Sequence, residues 1–406
     1  RYGNVRHVVY DTVSEDAALD AFQARYGQRA LPYYDFSKAE TIVSIGADFL
    51  GDWAGGGYDA AYAKGRIPQN GKMSRHIQFE SRFTLSGANA DKRVPLTLSQ
   101  QKAALVALHG YVTGGSSSGN LPKNISEALQ SAAKQLRRSG SGAVVVSGIP
   151  DVDAQSLVLS INEALGSQVM NTANPRMLRQ GNVAQVKQLV ADMNAGQVGA
   201  ILVAGVNPAY SLPFANEFVE GLKNVDLKVA FSMKKDETAM LCDYVAATPH
   251  YLESWGDVQF TGNKFGLMQP TIRPLFDTSQ FQDVLLRWSD NNTPYSDYLK
   301  QLWEGSMGAT SWVDALHDGT FEGTAPGGTS AVAGTAATAG AASEGAVTGS
   351  FDDSSAVRNL SSAAAGKGLE LELYTSVALG SGNMANNPWL QELPDPITRA
   401  SWDNYL

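Results

Sequence analysis

Two glycine turns carry the residue types and spacing that could hold a ligand. Gly46-Ala-Asp-Phe-Leu-Gly51 has the Gly-x-x-x-x-Gly spacing of a phosphate loop, but such a loop needs a following Lys and Ser or Thr to engage phosphate and magnesium. Asp52 and Trp53 follow instead, which excludes nucleotide hydrolysis by that mechanism. What remains is a glycine at the carboxyl end of a strand, the edge at which open α/β sheets bind ligands. Gly46, Asp48, Phe49 and Leu50 are therefore candidates to line a crevice, and a plain strand-to-helix turn explains them equally well. Gly205-Val-Asn-Pro-Ala-Tyr210 follows another strand in the same way. Its glycine and Asn-Pro pair make a tight turn with exposed backbone amides able to hold a phosphate or a ring edge.

Other groupings carry less. His250, Glu253 and Asp257 are close in sequence, and His-x-x-Glu could supply two metal ligands, but a packed loop fits Leu-Glu-Ser-Trp-Gly better. His7, His76, His109 and His317 are scattered, with no Ser-His-Asp or Cys-His grouping. Cys242 is the sole cysteine; it can form neither an internal disulfide nor an iron–sulfur site, and its apolar surroundings read as core. Trp255, Trp389 and Trp402 lie in polar loops, as partner anchors or as pins of their own loops.

These residues must be positioned by a chain of 406 residues with 43% hydrophobic and 17% charged residues. That length implies two to four domains, and the composition is globular. A net charge of −9 argues against nucleic acid as a partner. There is no run approaching the roughly 18 apolar residues of a membrane span, no visible signal peptide and no initiator Met. Both ends are expected to be internal to a longer polypeptide, so targeting signals are not legible here.

Strands are predicted at 40–46, 76–80, 143–147, 200–204, 228–232 and 244–247, with helices at 14–26, 99–112, 126–138, 153–165, 183–193, 213–222 and 237–242. Alternation of this kind makes a parallel sheet covered on both faces, and the unbroken apolar strands fit burial on both sides. Residues 319–368 are dominated by Ala, Gly, Thr and Ser and read as a flexible insertion or linker. Leu369–Tyr374 alternates apolar and polar residues like a half-exposed strand.

In order along the chain, four blocks resemble the molybdopterin oxidoreductase superfamily, and within it the B subunit of bacterial alternative complex III. They are Tyr34–Ala39 running into Ile42–Gly51; Glu80-Ser81-Arg82 with Thr84–Asp91; Gly205-Val206-Asn207-Pro208 with Glu237-Thr238-Ala239 and Leu252–Asp257; and Ala385–Pro396. The first and last are the most specific to that branch. The resemblance implies two doubly wound, mostly parallel α/β domains of the dimethyl sulfoxide reductase type, plus the start of a β-rich domain. The expected organisation is a first α/β domain over 1–120, a second over 121–318 with an extended 249–318 segment, the insertion over 319–368, and the β-rich start over 369–406.

In active relatives the Gly46 and Asn207-Pro208 turns would face a pterin dinucleotide, and Glu80–Arg82 would follow a strand contacting a nucleotide. This chain departs from them. Active enzymes commonly carry a Pro-Gly-Thr-Asp-like turn where Leu98-Ser99-Gln100-Gln101 stands here, so a glycine and a carboxylate are missing. They also place a Ser, Cys or selenocysteine metal ligand just upstream of the first block, where Asp11–Glu15 offers only Ser14. The resemblance thus implies a vestigial crevice (Gly46, Asp48, Phe49, Leu50, Glu80, Arg82, Gly205, Asn207 and Pro208) with no catalytic residue, pterin or metal in this stretch. Iron–sulfur clusters would sit on a later ferredoxin-like domain and haem c in partner subunits. Quinol would be oxidised in integral membrane subunits, and the complex would face the periplasm from the cytoplasmic membrane. The competing expectations are an active molybdenum or tungsten bis-pterin oxidoreductase of the polysulfide-reductase type, and a soluble nucleotide-binding α/β protein.

Overall fold

The structure is a computed structural model that describes residues 3–68, 71–115, 121–326, 352–362 and 368–402. They fall into two compact units. The N-terminal unit comprises Glu15–Arg179 and Glu344–Leu406; the central unit comprises Arg1–Ser14 and Gln180–Ser343.

In the N-terminal unit the strands are β1 (Leu31–Tyr34), β2 (Thr41–Ile45), β3 (Arg75–Glu80), β4 (Lys92–Pro95), β5 (Ala143–Ser147) and β6 (Met170–Arg176). Four form a parallel sheet in the order β4-β3-β2-β5, and β1 pairs antiparallel with β6. The expected boundary near residue 120 is thereby corrected. Thr41–Ile45 pairs residue by residue with Ala143–Ser147, so the stretch after 121 completes the first sheet and the division falls near 180. Val43, Ile45, Ile77, Phe79 and Val145 share one core with the helices Leu98–Thr113, Lys123–Ser139 and Val152–Ala164.

The composition-based linker also needs correction. Residues 327–351 and 363–367 lie outside the described residues. Between them, however, Asp353–Ser362 is a helix whose Ala356 (0% exposed) and Leu360 (3%) are buried in that same core. Small residues hid this helix, because only Ala356, Leu360 and the partly buried Val357 form its apolar stripe. Arg25 pairs with Asp353, whose carboxylate also accepts from Ser160 Oγ.

The central unit carries a parallel sheet, β7 (Ala200–Ala204), β8 (Leu227–Ser232) and β9 (Tyr244–Ala247), in that order. Val183–Asn194 and Ala215–Leu222 cover Ile201 and Val203. Burial on both faces, expected for all these strands, fails for β7 and β9, where Leu202 stays 40% and Tyr244 65% exposed. An antiparallel sheet of β10 (Gly256–Gln259), β11 (Lys264–Met268) and β12 (Thr320–Glu322) packs Phe265, Leu267 and Phe321 on Leu299 and Trp303. The segment expected to end at 318 thus runs on into β12.

Past residue 368 the expected β-rich start is not found: among the described residues 368–402 there is no strand, and the helix is Pro388–Glu392. Residues 369–374 make no backbone–backbone hydrogen bond among the described residues, so their alternation is not that of a paired strand. No helix among the described residues is long and apolar enough to cross a membrane.

Truncating a core side chain in Asp353–Ser362 should destabilise the whole N-terminal unit. Leu360→Ala is expected to cost about 2–4 kcal/mol in urea unfolding, while exposed Leu369→Ala stays within about 0.5 kcal/mol of the parent. Equal, negligible effects would show that the helix does not belong to the core.

Candidate functional site

One face of the sheet β4-β3-β2-β5 is apolar, while on the other β3 sets a run of polar side chains beside buried Ile42, Val144 and Val146. Because side chains alternate along a strand, His76, Gln78 and Glu80 of β3 share a face, and all are at most 1% exposed. Gln78 Nε2 donates to the Ala47 carbonyl (3.1 Å) and to Glu80 Oε2 (3.2 Å), so its Oε1 must accept. That acceptor lies 3.0 Å from His76 Nε2, which assigns the imidazole proton to Nε2. Nδ1 is then a bare acceptor 3.2 Å from the Tyr62 hydroxyl, whose single proton is directed at the Asn89 carbonyl (3.0 Å). Burial holds the His76 pKa down to about 4, so the ring is neutral.

The candidate residues on the carboxyl edge of this sheet are engaged internally. Gly46 has φ +70°, which favours glycine, and a Cβ built on it would lie 2.5 Å from Gln101 Oε1. The Gln101 side chain therefore covers the turn. Asp48 Oδ1 accepts from Ser86 N (2.9 Å), while Ser86 Oγ accepts from Leu50 N (3.0 Å). Phe49 is fully buried, its ring stacked on Phe36 at 4.6 Å. Glu80 accepts from Thr84 Oγ1 (2.6 Å) and pairs with Arg93. Arg82 is partly exposed; it pairs with Glu372 (3.5 Å) and lies over the Tyr374 ring (4.3 Å).

Leu98-Ser99-Gln100-Gln101 open the helix Leu98–Thr113. Thr97 caps it, with Gln100 completing a capping box. Ser99 donates from its amide (2.8 Å) and hydroxyl (2.6 Å) to Glu370, and these bonds hold that carboxyl below its usual range. Gln101 Nε2 donates to Ser81 Oγ (3.0 Å), and Ser81 Oγ donates onward to Glu372. Sequence reasoning missed Ser81, Glu370, Glu372 and Tyr374; the signal was the alternation at 369–374, whose polar side faces the protein.

In the central unit the sequence grouping of Asn207 with Glu237 and Thr238 is a physical one. Gly205 has φ +67°. Asn207 Nδ2 donates to Glu237 Oε2 (2.7 Å), and its Oδ1 accepts from Thr238 N (3.1 Å) and Oγ1 (2.7 Å). Pro208 is the buried first residue of the short helix Pro208–Ser211. The Asn207 amide thus ties the loop after β7 to the loop after β8.

His250, Glu253 and Asp257 go to separate tasks. His250 Nδ1 accepts from Leu252 N, Glu253 accepts from His250 N, and Asp257 accepts from Trp303 Nε1 (2.9 Å). Among the described residues no group of three His, Cys, Asp or Glu side chains is placed to hold a metal ion. Cys242 is half-buried rather than core, its Sγ donating to the Thr238 carbonyl, and burial pushes its thiol up. Trp255 stacks on Trp312 (6.5 Å), whereas Trp389 is 77% exposed.

Comparison with known proteins adds two findings. Over 283 residues the chain is 25% identical to the menaquinone reductase, molybdopterin-binding-like subunit, of Nitratidesulfovibrio vulgaris Hildenborough, covering 66% of this chain and 39% of that one. The solved structure of acetylene hydratase from Pelobacter acetylenicus superposes with a TM-score of 0.54 at 14% identity, covering 77% of this chain and 55% of that one. This chain therefore spans well under two thirds of the length of both. The structural likeness shows the fold: mixed α/β with parallel sheets, of the dimethyl sulfoxide reductase type. No protein-family profile matches the chain.

The neutral His76 carries a pH prediction. Its folded pKa lies below the ordinary 6.5, so between pH 6.5 and about 4 the unfolded chain takes a proton that the folded chain refuses. Folding is therefore unpenalised above pH 6.5 and loses about 3 kcal/mol as pH falls to 4. Urea midpoints should fall more steeply over that window in the parent than in His76→Gln; parallel profiles would refute the assignment.

Proposed function

We propose that this chain is the molybdopterin-oxidoreductase-like part of a quinone-linked respiratory oxidoreductase, and that it serves as a scaffold carrying no pterin or metal. The observation that carries this reading is the self-filled carboxyl edge of β4-β3-β2-β5. A dinucleotide pyrophosphate needs free backbone amides at a helix N-terminus and a bare glycine surface. Here the Ser99 amide is bonded to Glu370, Gln101 covers Gly46, and Glu80 is enclosed by Thr84, Gln78 and Arg93. As arranged, these residues do not fit a pterin dinucleotide, and no catalytic step is derived through one.

Two likenesses support the quinone-linked part: the sequence similarity to a subunit named for menaquinone reductase, and the resemblance of the four blocks to the B subunit of alternative complex III. In the finer form of the proposal, quinol gives up two electrons and two protons in integral membrane subunits. The electrons pass through iron–sulfur clusters of a ferredoxin-like domain outside these 406 residues and on to c-type haem subunits at the periplasmic face of the cytoplasmic membrane. The present stretch would dock the cluster domain and haem subunits.

Elemental analysis of the native complex, with a fluorescence assay for released oxidised pterin, tests this. The expected result is abundant iron without molybdenum, tungsten or pterin. Molybdenum or tungsten at about one per chain together with pterin would overturn the scaffold reading in favour of an active bis-pterin enzyme.

A further inference from the structure

Residues 369–374, Leu-Glu-Leu-Glu-Leu-Tyr, alternate apolar and polar side chains, but the polar side is the docked one. Glu370 binds the amide and hydroxyl of Ser99. Glu372 accepts from Ser81 and pairs with Arg82, and Tyr374 lies against the Arg82 guanidinium. Leu369, Leu371 and Leu373 are 106%, 79% and 85% exposed. With no backbone–backbone hydrogen bond among the described residues, this stretch is held by polar and charged side-chain contacts alone.

Those contacts fall on groups that attract an anion at the ends of β3 and β4: the first turn of the 16-residue helix Leu98–Thr113, a hydroxyl and a guanidinium. We infer that residues 368–374 are a detachable carboxylate strap, a chain-borne anion that closes this edge against phosphate-bearing ligands and can be displaced by them. The inference rests on the proposed function in one respect: it supplies part of the closure that the scaffold reading requires.

Detachability follows from the type of contact. Partly exposed ion pairs are worth about 0–1 kcal/mol each and are screened by salt. The helix Asp353–Ser362, upstream of the strap, is anchored differently, through buried Ala356 and Leu360. The strap is therefore free to leave while its upstream anchor stays docked.

The probe is inorganic pyrophosphate, titrated calorimetrically into the full chain and followed by hydrogen exchange over 368–374. The Glu370→Ala/Glu372→Ala double variant should bind at least about ten-fold more tightly than the parent, and pyrophosphate should raise exchange of the strap in the parent. Glu127→Ala/Glu220→Ala removes two exposed carboxylates elsewhere (64% and 63% exposed side chains) and should match the parent. Equal affinity in the strap variant and the parent, binding in neither, or a gain shared by the control variant would overturn the strap. Pterin in the native complex would instead refute the scaffold reading and leave these binding results standing.

Discussion

Glu80 is the constraint around which the N-terminal unit is arranged. A carboxylate at the end of a parallel strand, 1% exposed, costs several kcal/mol unless its lone pairs are met. Arg93 meets one side from the neighbouring strand, placed there because β3 and β4 run parallel with Gln78 opposite Arg93. Thr84 and Gln78 meet the rest. Gly87 has to lack a side chain, since a Cβ there would overlap the carboxylate. Donating to Glu80 fixes the orientation of the Gln78 amide, which fixes the His76 tautomer and also ties down the Ala47 carbonyl. The turn that begins at Gly46 is thus held from beneath by the β3 ladder and covered by Gln101. The ligand-edge geometry derives from one buried charge and the partners it requires.

Much of this frame is legible in the sequence. The apolar runs at 143–147 and 200–204 and the segment 76–80 are strands, because β-branched stretches ended by glycine or a turn have few other uses. Domain assignment is less legible, since the helix–strand rhythm past 121 is the same whether a strand starts a new sheet or completes an old one. Only the pairing of β5 with β2 decides it. Composition misleads at 319–368, where two buried side chains suffice to hold a helix against a core that already exists. The alternation at 369–374 shows a segment with two unlike faces but not which face turns inward. Hydrophobic expectation puts the leucines in, whereas the anion-attracting edge beside the segment draws the glutamates in.

The candidate site shows the same limit. Set beside the superfamily it resembles, the sequence has Leu98-Ser99-Gln100-Gln101 where a glycine and a carboxylate would be expected. The structure shows what these residues do: Ser99 brings in Glu370, Gln100 completes the helix cap, and Gln101 covers Gly46 and binds Ser81. Apart from the Gln100 cap, which Thr97 completes from three residues away, those roles depend on neighbours 20 to 271 residues away, which no local pattern encodes.

The polar groups at the carboxyl edge of an α/β sheet set a problem of their own. Helix-first-turn amides and turn carbonyls want partners whether or not a cofactor comes. The two units answer it differently. In the central unit Asn207 joins the loops after β7 and β8 through bonds to Glu237 and Thr238, neighbours on the same edge. The N-terminal unit answers in part with enclosed groups (the β3 ladder, Asp48 on Ser86) and in part with the exposed strap at Glu370 and Glu372. Enclosed bonds open only with unfolding, because breaking one strands a polar group in the core. The exposed ones exchange with water and salt at little cost. The carboxyl edge of β3 and β4 therefore has a permanent floor and a removable cover, and any change in what this surface offers to another molecule must come from the cover.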